Sequence, residues 1–236
     1  MGKEKLLEAK DLMWINEKVA SELNPFLDGL RIKSATYEAF RRTFQKFLPR
    51  IDQASEITLK LNDDFKKVKS ELYATFSYLG FVESLGNTTV DVVVLLLIAN
   101  GIDFHIECQH RTPRIIHATK IEDLERERVS LTTKLNFLRD NGLKVFASLI
   151  DTKLRNKIAH MKFEVRGDRI FVDNNHLSVI QLFNSTRKTI QALIASQKLI
   201  FDVMNEKGFK CHNNQKCHNN QYTCNYFCVC IFCFFV

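Results

Sequence analysis

Apolar side chains recur at helical spacing along most of the chain, and this recurrence constrains the fold more than any other feature. In the longest stretch, from Gln53 to Leu85, apolar residues return every three or four positions, which places them on one face of a helix. Only 3 Pro and 8 Gly interrupt the 236 residues, so long helices are favoured over a turn-rich β fold. A hydrophobic content of 45% with 19 Phe supports a sizeable core. The sequence therefore predicts a mainly α fold.

Breaks in the apolar pattern predict where the helices end. Asn24-Pro25 is expected to end the first helix, Pro49 marks a break or kink, and Gly86-Asn87 and Asn141-Gly142 are typical helix stops. The helices are then predicted over residues 3–23, 35–48, 53–85, 90–99, 121–140, 143–161 and 177–206.

Two segments alternate with period two and predict β structure. Residues 102–118 begin with the alternating Ile102–Cys108 run, which favours a short strand or extended segment. Residues 162–173 alternate around a Gly-Asp pair and predict a β-hairpin. The Arg166-Gly167-Asp168 tripeptide resembles an adhesion motif, but here it is interpreted as the hairpin turn.

The most apolar run of the body does not predict a membrane span. Residues 90–99 form a ten-residue apolar stretch, whereas a transmembrane helix needs about 20. The body also holds a single cysteine, Cys108, which suits a reducing compartment. We therefore expect no stable membrane span and a cytoplasmic location.

The chain divides by composition into three parts. Residues 1–50 are predicted to be N-terminal helices packing on a bundle, residues 51–209 the helical domain, and residues 210–236 a low-complexity, disordered tail. The tail repeats Lys-Cys-His-Asn-Asn-Gln exactly, at 210–215 and 216–221. Three interpretations compete: a zinc site, an acylated membrane contact at 226–236, or an end derived from a frameshift or repeat, which we favour. The zinc ligands would be Cys211, His212, Cys217, His218, Cys224 and Cys228.

A motif with potential for phosphate chemistry lies on the predicted helix 143–161. Asn156 and His160 are four residues apart and share a helix face, with Arg155 on its flank. Histidine can act as an acid or base near neutral pH, and arginine is the cation best shaped for phosphate. The same spacing also arises by chance, in which case these residues would be solvated or would cap the helix.

The run Arg155-Asn156-Lys157-Ile158-Ala159-His160 resembles the Arg-x4-6-His signature of the HEPN superfamily (higher eukaryotes and prokaryotes nucleotide-binding domains). The resemblance covers about residues 62–207. It implies a HEPN-like helical bundle, here with extra N-terminal helices and a small β-hairpin after the motif helix.

What the resemblance implies is metal-independent endoribonuclease activity by a homodimer, with RNA as substrate and no cofactor or metal. Two motif helices would face each other. His160 would take the proton from the ribose 2′-hydroxyl, Arg155 would stabilise the phosphate charge, and Asn156 would orient either group. The products would carry a 2′,3′-cyclic phosphate and a 5′-hydroxyl. We assign substrate binding to Lys153, Lys157, Arg111 and Arg114, and the net charge of +7 is compatible with such a partner.

Several alternatives stay open. The protein could be a toxin or defence component with an antitoxin partner, although Lys162 stands where related toxins often carry a tyrosine. It could instead be a non-catalytic RNA- or nucleotide-binding or dimerisation module, or a structural dimer in which Arg155 and His160 make buried hydrogen bonds. A metal site at His105, Glu107, His110 and His117 is less favoured than a basic loop that guides RNA, or than plain surface histidines.

Overall fold

Helices form most of the chain in a computed structural model, which describes residues 5–67, 71–108, 114–118, 123, 127, 129–167, 169–172 and 175–209. Two small antiparallel sheets accompany them, and the predicted mainly α fold is confirmed. In chain order the elements are α1 (Ala9–Ile32), α2 (Ser34–Lys67), α3 (Glu71–Phe81), a π turn (Val82–Gly86), α4 (Asn87–Ala99), β1 (Phe104–Cys108), β2 (Arg114–Ala118), α5 (Leu131–Asp140), α6 (Lys144–Ser148), α7 (Thr152–Ala159), β3 (Glu164–Arg166), β4 (Arg169–Val172), β5 (Asn175–Ser178) and α8 (Val179–Glu206).

The two N-terminal helices run through their prolines, so the helix ends predicted there were wrong. Pro25 lies inside α1 and Pro49 inside α2. A proline inside a helix costs about 3 kcal/mol, while burying one large aliphatic side chain stabilises by about 1.5–3 kcal/mol. Beyond Pro25 the apolar stripe of α1 continues with the fully buried Leu27 and Leu30. Burial of this continued stripe outweighs the lost hydrogen bond.

Other predicted helix boundaries also moved. Gly86-Asn87 does not end the third helix, because the chain continues through the π turn into α4. The predicted helix 143–161 divides into α6 and α7, where Asp151 caps a new helix start. Of the predicted helix 121–140, only Leu131–Asp140 is observed as α5, which Ser130 caps, and residues 129 and 130 are not helical. The π turn lets the chain continue past Gly86, whereas the caps Asp151 and Ser130 start new helices inside segments that were predicted to be continuous.

The last helix, α8, packs against α1, α3 and α4. Its contact with α1 is the most extensive between any two described elements, and it is fastened by polar links. The Asn184 side chain accepts from the amide of Leu7, two residues before α1, at 2.9 Å, and Gln191 donates to Asn16 of α1 at 2.7 Å. The core is therefore closed by the pairing of the first helix with the last.

A side chain of α1 also caps α6. The Glu22 carboxylate accepts the backbone N–H groups of Val145 at 2.7 Å and Phe146 at 3.0 Å. These are amides of the first turn that no helical carbonyl can reach. α1 therefore helps to fix the segment that leads into α7.

In chain order, β1 and β2 lie between α4 and α5, and the strands β3, β4 and β5 lie between α7 and α8. β1 and β2 pair antiparallel with Ile106 opposite Ile116. β3 and β4 form the predicted hairpin, which is confirmed, and β5 adds a third antiparallel strand with Leu177 opposite Ile170. Residues 177 and 178 were predicted as helix, but α8 begins only after Ser178, whose side chain accepts from the Gln181 amide.

The longest apolar helical segment belongs to the core. Leu72–Ala99 spans 28 residues and could cross a membrane by length and composition, yet 72% of its most apolar window is buried in the protein. It is the one such helix in the described residues. Its burial in the protein is consistent with the expected lack of a stable membrane span. The predicted boundary at residue 50 falls within α2. The assignment of residues 1–50 to a part separate from the helical domain stays a prediction.

Candidate functional site

The motif helix α7 is short, and contacts at its start set its position. The Asp151 side chain accepts from the Leu154 amide at 2.9 Å and caps the helix. The buried Tyr78 hydroxyl of α3 donates to the Asp151 carbonyl at 3.0 Å. Burial raises the pKa of the Tyr78 phenol, which keeps the donor proton in place. Leu154 and Ile158 are buried, so the polar side chains of α7 point outward.

Arg155 is held by two side-chain contacts. One terminal nitrogen donates to the Asn156 side-chain oxygen at 2.6 Å. The other forms an ion pair with Glu83, and the two side chains are 26% and 38% exposed. Nε of Arg155 is buried and has no hydrogen-bond partner in the described part of the chain. The cation is therefore partly covered and oriented before any ligand arrives.

Glu83 reaches Arg155 from the π turn between α3 and α4. A π turn holds an extra residue within a helix, and such turns are frequent at functional sites. The second carboxylate oxygen of Glu83 accepts from the Asn87 side chain at 3.0 Å. The ion pair therefore joins the π turn between α3 and α4 to the motif helix α7.

A polar cavity of about 330 Å³ opens beside Arg155. It lies between the start of α5 and the start of α7. The Ser130 and Thr133 hydroxyls contact each other at 2.8 Å, whereas the hydroxyls of Thr132 and Thr152 make no hydrogen bond within the described residues. The lining residues are Ser130, Leu131, Thr132, Thr133, Thr152, Arg155 and Asn156. Hydroxyl, amide and guanidinium groups together suit an anionic, oxygen-rich ligand.

His160 follows the last residue of α7 and is exposed. Its backbone N–H donates to the Asn156 carbonyl at 3.1 Å. Its ring makes no hydrogen bond or ion pair within the described residues. Met161 follows with a φ of 55° and an exposure of 66%. The imidazole is thus accessible, and it is not part of the cavity lining.

The structure brings together some of the predicted site residues and leaves others apart. Arg155 and Asn156 share the cavity. Lys153 is exposed and Lys157 is half-buried on the same helix. Arg111 lies outside the described residues, and Arg114 begins β2, although its side chain is outside the described part. The predictions for the 210–236 tail also fall outside it.

The structure describes only part of the less favoured metal site at His105, Glu107, His110 and His117. His105 and His117 stand opposite each other on β1 and β2 with ring centroids 6.2 Å apart, while His110 lies outside the described residues. Among the residues that the structure describes, no three His, Cys, Asp or Glu side chains are grouped to hold a metal ion.

Sequence reasoning missed Glu83 and the hydroxyl groups of the cavity. Ser130-Leu131-Thr132-Thr133 is a typical helix start and could have been recognised. Glu83 carries no such signal, because its contact with Arg155 depends on the π turn.

No protein-family model, curated protein or solved structure matches the chain, by sequence or by structure.

Proposed function

We propose that the protein is a metal-independent endoribonuclease of HEPN type that acts as a homodimer, in the cytoplasm and as a toxin or defence component. The observation that supports this most is the pairing of Arg155 with Asn156 on the wall of an open polar cavity. A guanidinium, an amide and several hydroxyls can bind the oxygens of a phosphodiester together.

Each motif residue has a role in this proposal. Arg155 stabilises the charge that develops on the phosphate, and Asn156 orients the guanidinium to which it is bonded. His160, exposed at the end of the same helix, takes the proton of the ribose 2′-hydroxyl. Because His160 does not line the cavity of its own chain, the second chain would supply the imidazole to that cavity. An antitoxin partner would act by blocking this composite site.

The test is RNA cleavage by the full chain in EDTA. We expect the parent to leave 2′,3′-cyclic phosphate ends and to be a dimer by light scattering. His160→Ala and Arg155→Ala are each expected to lower the rate by about 100-fold or more. His176→Ala, which removes another exposed histidine, serves as the matched control and should leave the rate unchanged. Equal cleavage by parent and His160→Ala would refute the proposal.

A non-catalytic RNA- or nucleotide-binding module is the second candidate. It is favoured by the contact of Arg155 with Glu83, because a neutralised cation is less able to stabilise a transition state. RNA binding that depends on Arg155, without cleavage by a verified dimer, would decide for this candidate.

A further inference from the structure

We propose that the Glu83 carboxylate and a phosphate group in the α5–α7 cavity compete for the Arg155 guanidinium. A phosphate-containing ligand would bind by displacing Glu83 from the ion pair. This inference rests on the proposed function and adds to it a residue that sets ligand affinity.

The geometry provides one cation for two anions. Arg155 contacts Glu83 and also lines the cavity in which a ligand would sit. Carboxylates and phosphates both bind the planar edge of a guanidinium through paired oxygens. Asn156 accepts one hydrogen of one terminal nitrogen, and Nε is buried away from solvent. The terminal nitrogen held by Glu83 is therefore the position at which a phosphate oxygen gains most.

Glu83 is suited to being displaced. Its side chain is 38% exposed, and ion pairs with such access to water contribute little net stability. The Asn87 side chain donates to its second oxygen at 3.0 Å, so the released carboxylate keeps one hydrogen-bond donor and its access to water. Release of Arg155 therefore leaves no buried, unpaired charge behind.

The cavity supplies what the phosphate gains in exchange. The hydroxyls of Thr132 and Thr152 are without hydrogen bonds in the described residues and can donate to phosphate oxygens. A phosphate bound there would contact these hydroxyls and Arg155 together, whereas Glu83 contacts Arg155 from one side only. A ligand without a phosphate carries no anion that competes for Arg155, and it is therefore not expected to displace the Glu83 carboxylate.

The experiment measures binding of a short 2′-O-methyl oligoribonucleotide, which cannot be cleaved by attack of its 2′-oxygen, and of inorganic phosphate. Glu83→Gln is expected to tighten binding of both by about threefold to tenfold, because the competing charge is removed. Glu38→Gln is the matched control: Glu38 also pairs with an arginine, Arg41, and its loss changes the net charge equally. We expect this control to change binding by less than about twofold.

A double-variant comparison isolates the competition. Arg155→Gln is expected to weaken binding. The double variant Arg155→Gln with Glu83→Gln should then bind no more tightly than Arg155→Gln alone. A gain that persists without Arg155, or that Glu38→Gln reproduces, would overturn the inference. If Glu83→Gln does not fold, Glu83→Asp withdraws the charge by one methylene, and we expect a gain of about twofold. No gain with a folded Glu83→Asp would equally count against the competition.

The outcomes separate this inference from the proposed function. RNA cleavage through Arg155 and His160, with unchanged binding in Glu83→Gln, would refute the competition and keep the ribonuclease. No cleavage and no RNA binding, with tighter phosphate binding that depends on Arg155, would refute the ribonuclease and keep the competition.

Discussion

Met161, next to His160, has a backbone conformation that costs energy for its residue type. Its φ of 55° lies in the left-handed region, where the residue after a helix is usually glycine. The bonds of this helix end are present, because the Lys162 amide donates to the Lys157 carbonyl at 2.8 Å. The helix therefore ends with the usual hydrogen bonds, but methionine occupies a position whose backbone conformation favours glycine.

Met161→Gly is expected to stabilise the protein by about 1 kcal/mol, because glycine adopts this φ without a steric cost and the methionine side chain is 66% exposed. Urea unfolding measures the change. Met13→Gly is the matched control, since Met13 is 61% exposed inside α1 and should lose about 1 kcal/mol. Loss of stability in both variants would show that Met161 makes a contact that outweighs its backbone strain.

Among individual residues, the sequence predicts only those site contacts whose partners are close together in the chain. Arg155 and Asn156 could be placed together because helical spacing determines their neighbours. Glu83 is distant in the chain, and its direction depends on the extra residue of the π turn. Contacts of this kind follow from the three-dimensional packing and not from any local pattern.

At the scale of elements, α7 depends strongly on its cap because it has only 8 residues. Helices this short are marginal without tertiary contacts and capping. Its N-terminal cap, Asp151, is bonded through both its side chain and its carbonyl. The position of Arg155 is therefore sensitive to the start of the helix.

Asp151→Ala is expected to lower stability by about 1 kcal/mol and to speed hydrogen exchange at the amides of residues 154–157. Ser178→Ala removes the equivalent cap from α8, which is 28 residues long and packed along its length. This control should lower stability by a similar amount without changing exchange in α7. Unchanged exchange in the Asp151 variant would mean that packing alone holds α7.

The existence of most helices was predictable from the apolar spacing, whereas their ends were less so. Pro25 and Pro49 look like stops, but tertiary burial on their far sides keeps both helices intact. The split between α6 and α7 is marked by Asp151, a strong cap residue within an otherwise continuous apolar pattern. β5 is only 4 residues long and passes directly into α8, so its alternation is too brief to detect.

For the whole molecule, one charged pair lies between α4 and α5. Lys134 and Asp91 are 2.5 Å apart, with side chains 12% and 13% exposed. Removing one partner from such a pair leaves a charge with little access to water, which is far more costly than losing an exposed pair. The pair therefore links α4 to α5, the helix whose start bounds the cavity.

Lys134→Met is expected to lower the free energy of unfolding by about 3 kcal/mol, because it removes the ammonium that pairs with the nearly buried Asp91 carboxylate. Lys198→Met is the matched control, since Lys198 pairs with Asp202 and both side chains are 45% exposed. Its effect should stay within about 0.5 kcal/mol. Similar losses in the two variants, measured by urea unfolding, would mean that burial of the Asp91 pair does not matter.

The pairing of α1 with α8 has a consequence for synthesis. α1 buries Ile15, Val19 and Leu23 completely, and the helix with which it has its most extensive contact, α8, begins only at Val179. At about 5–20 residues per second, a ribosome needs roughly 10–30 s to make the intervening chain. During that interval the part of the α1 surface that α8 covers in the folded protein stays exposed, so we expect the nascent chain to be most prone to aggregation before α8 has been made.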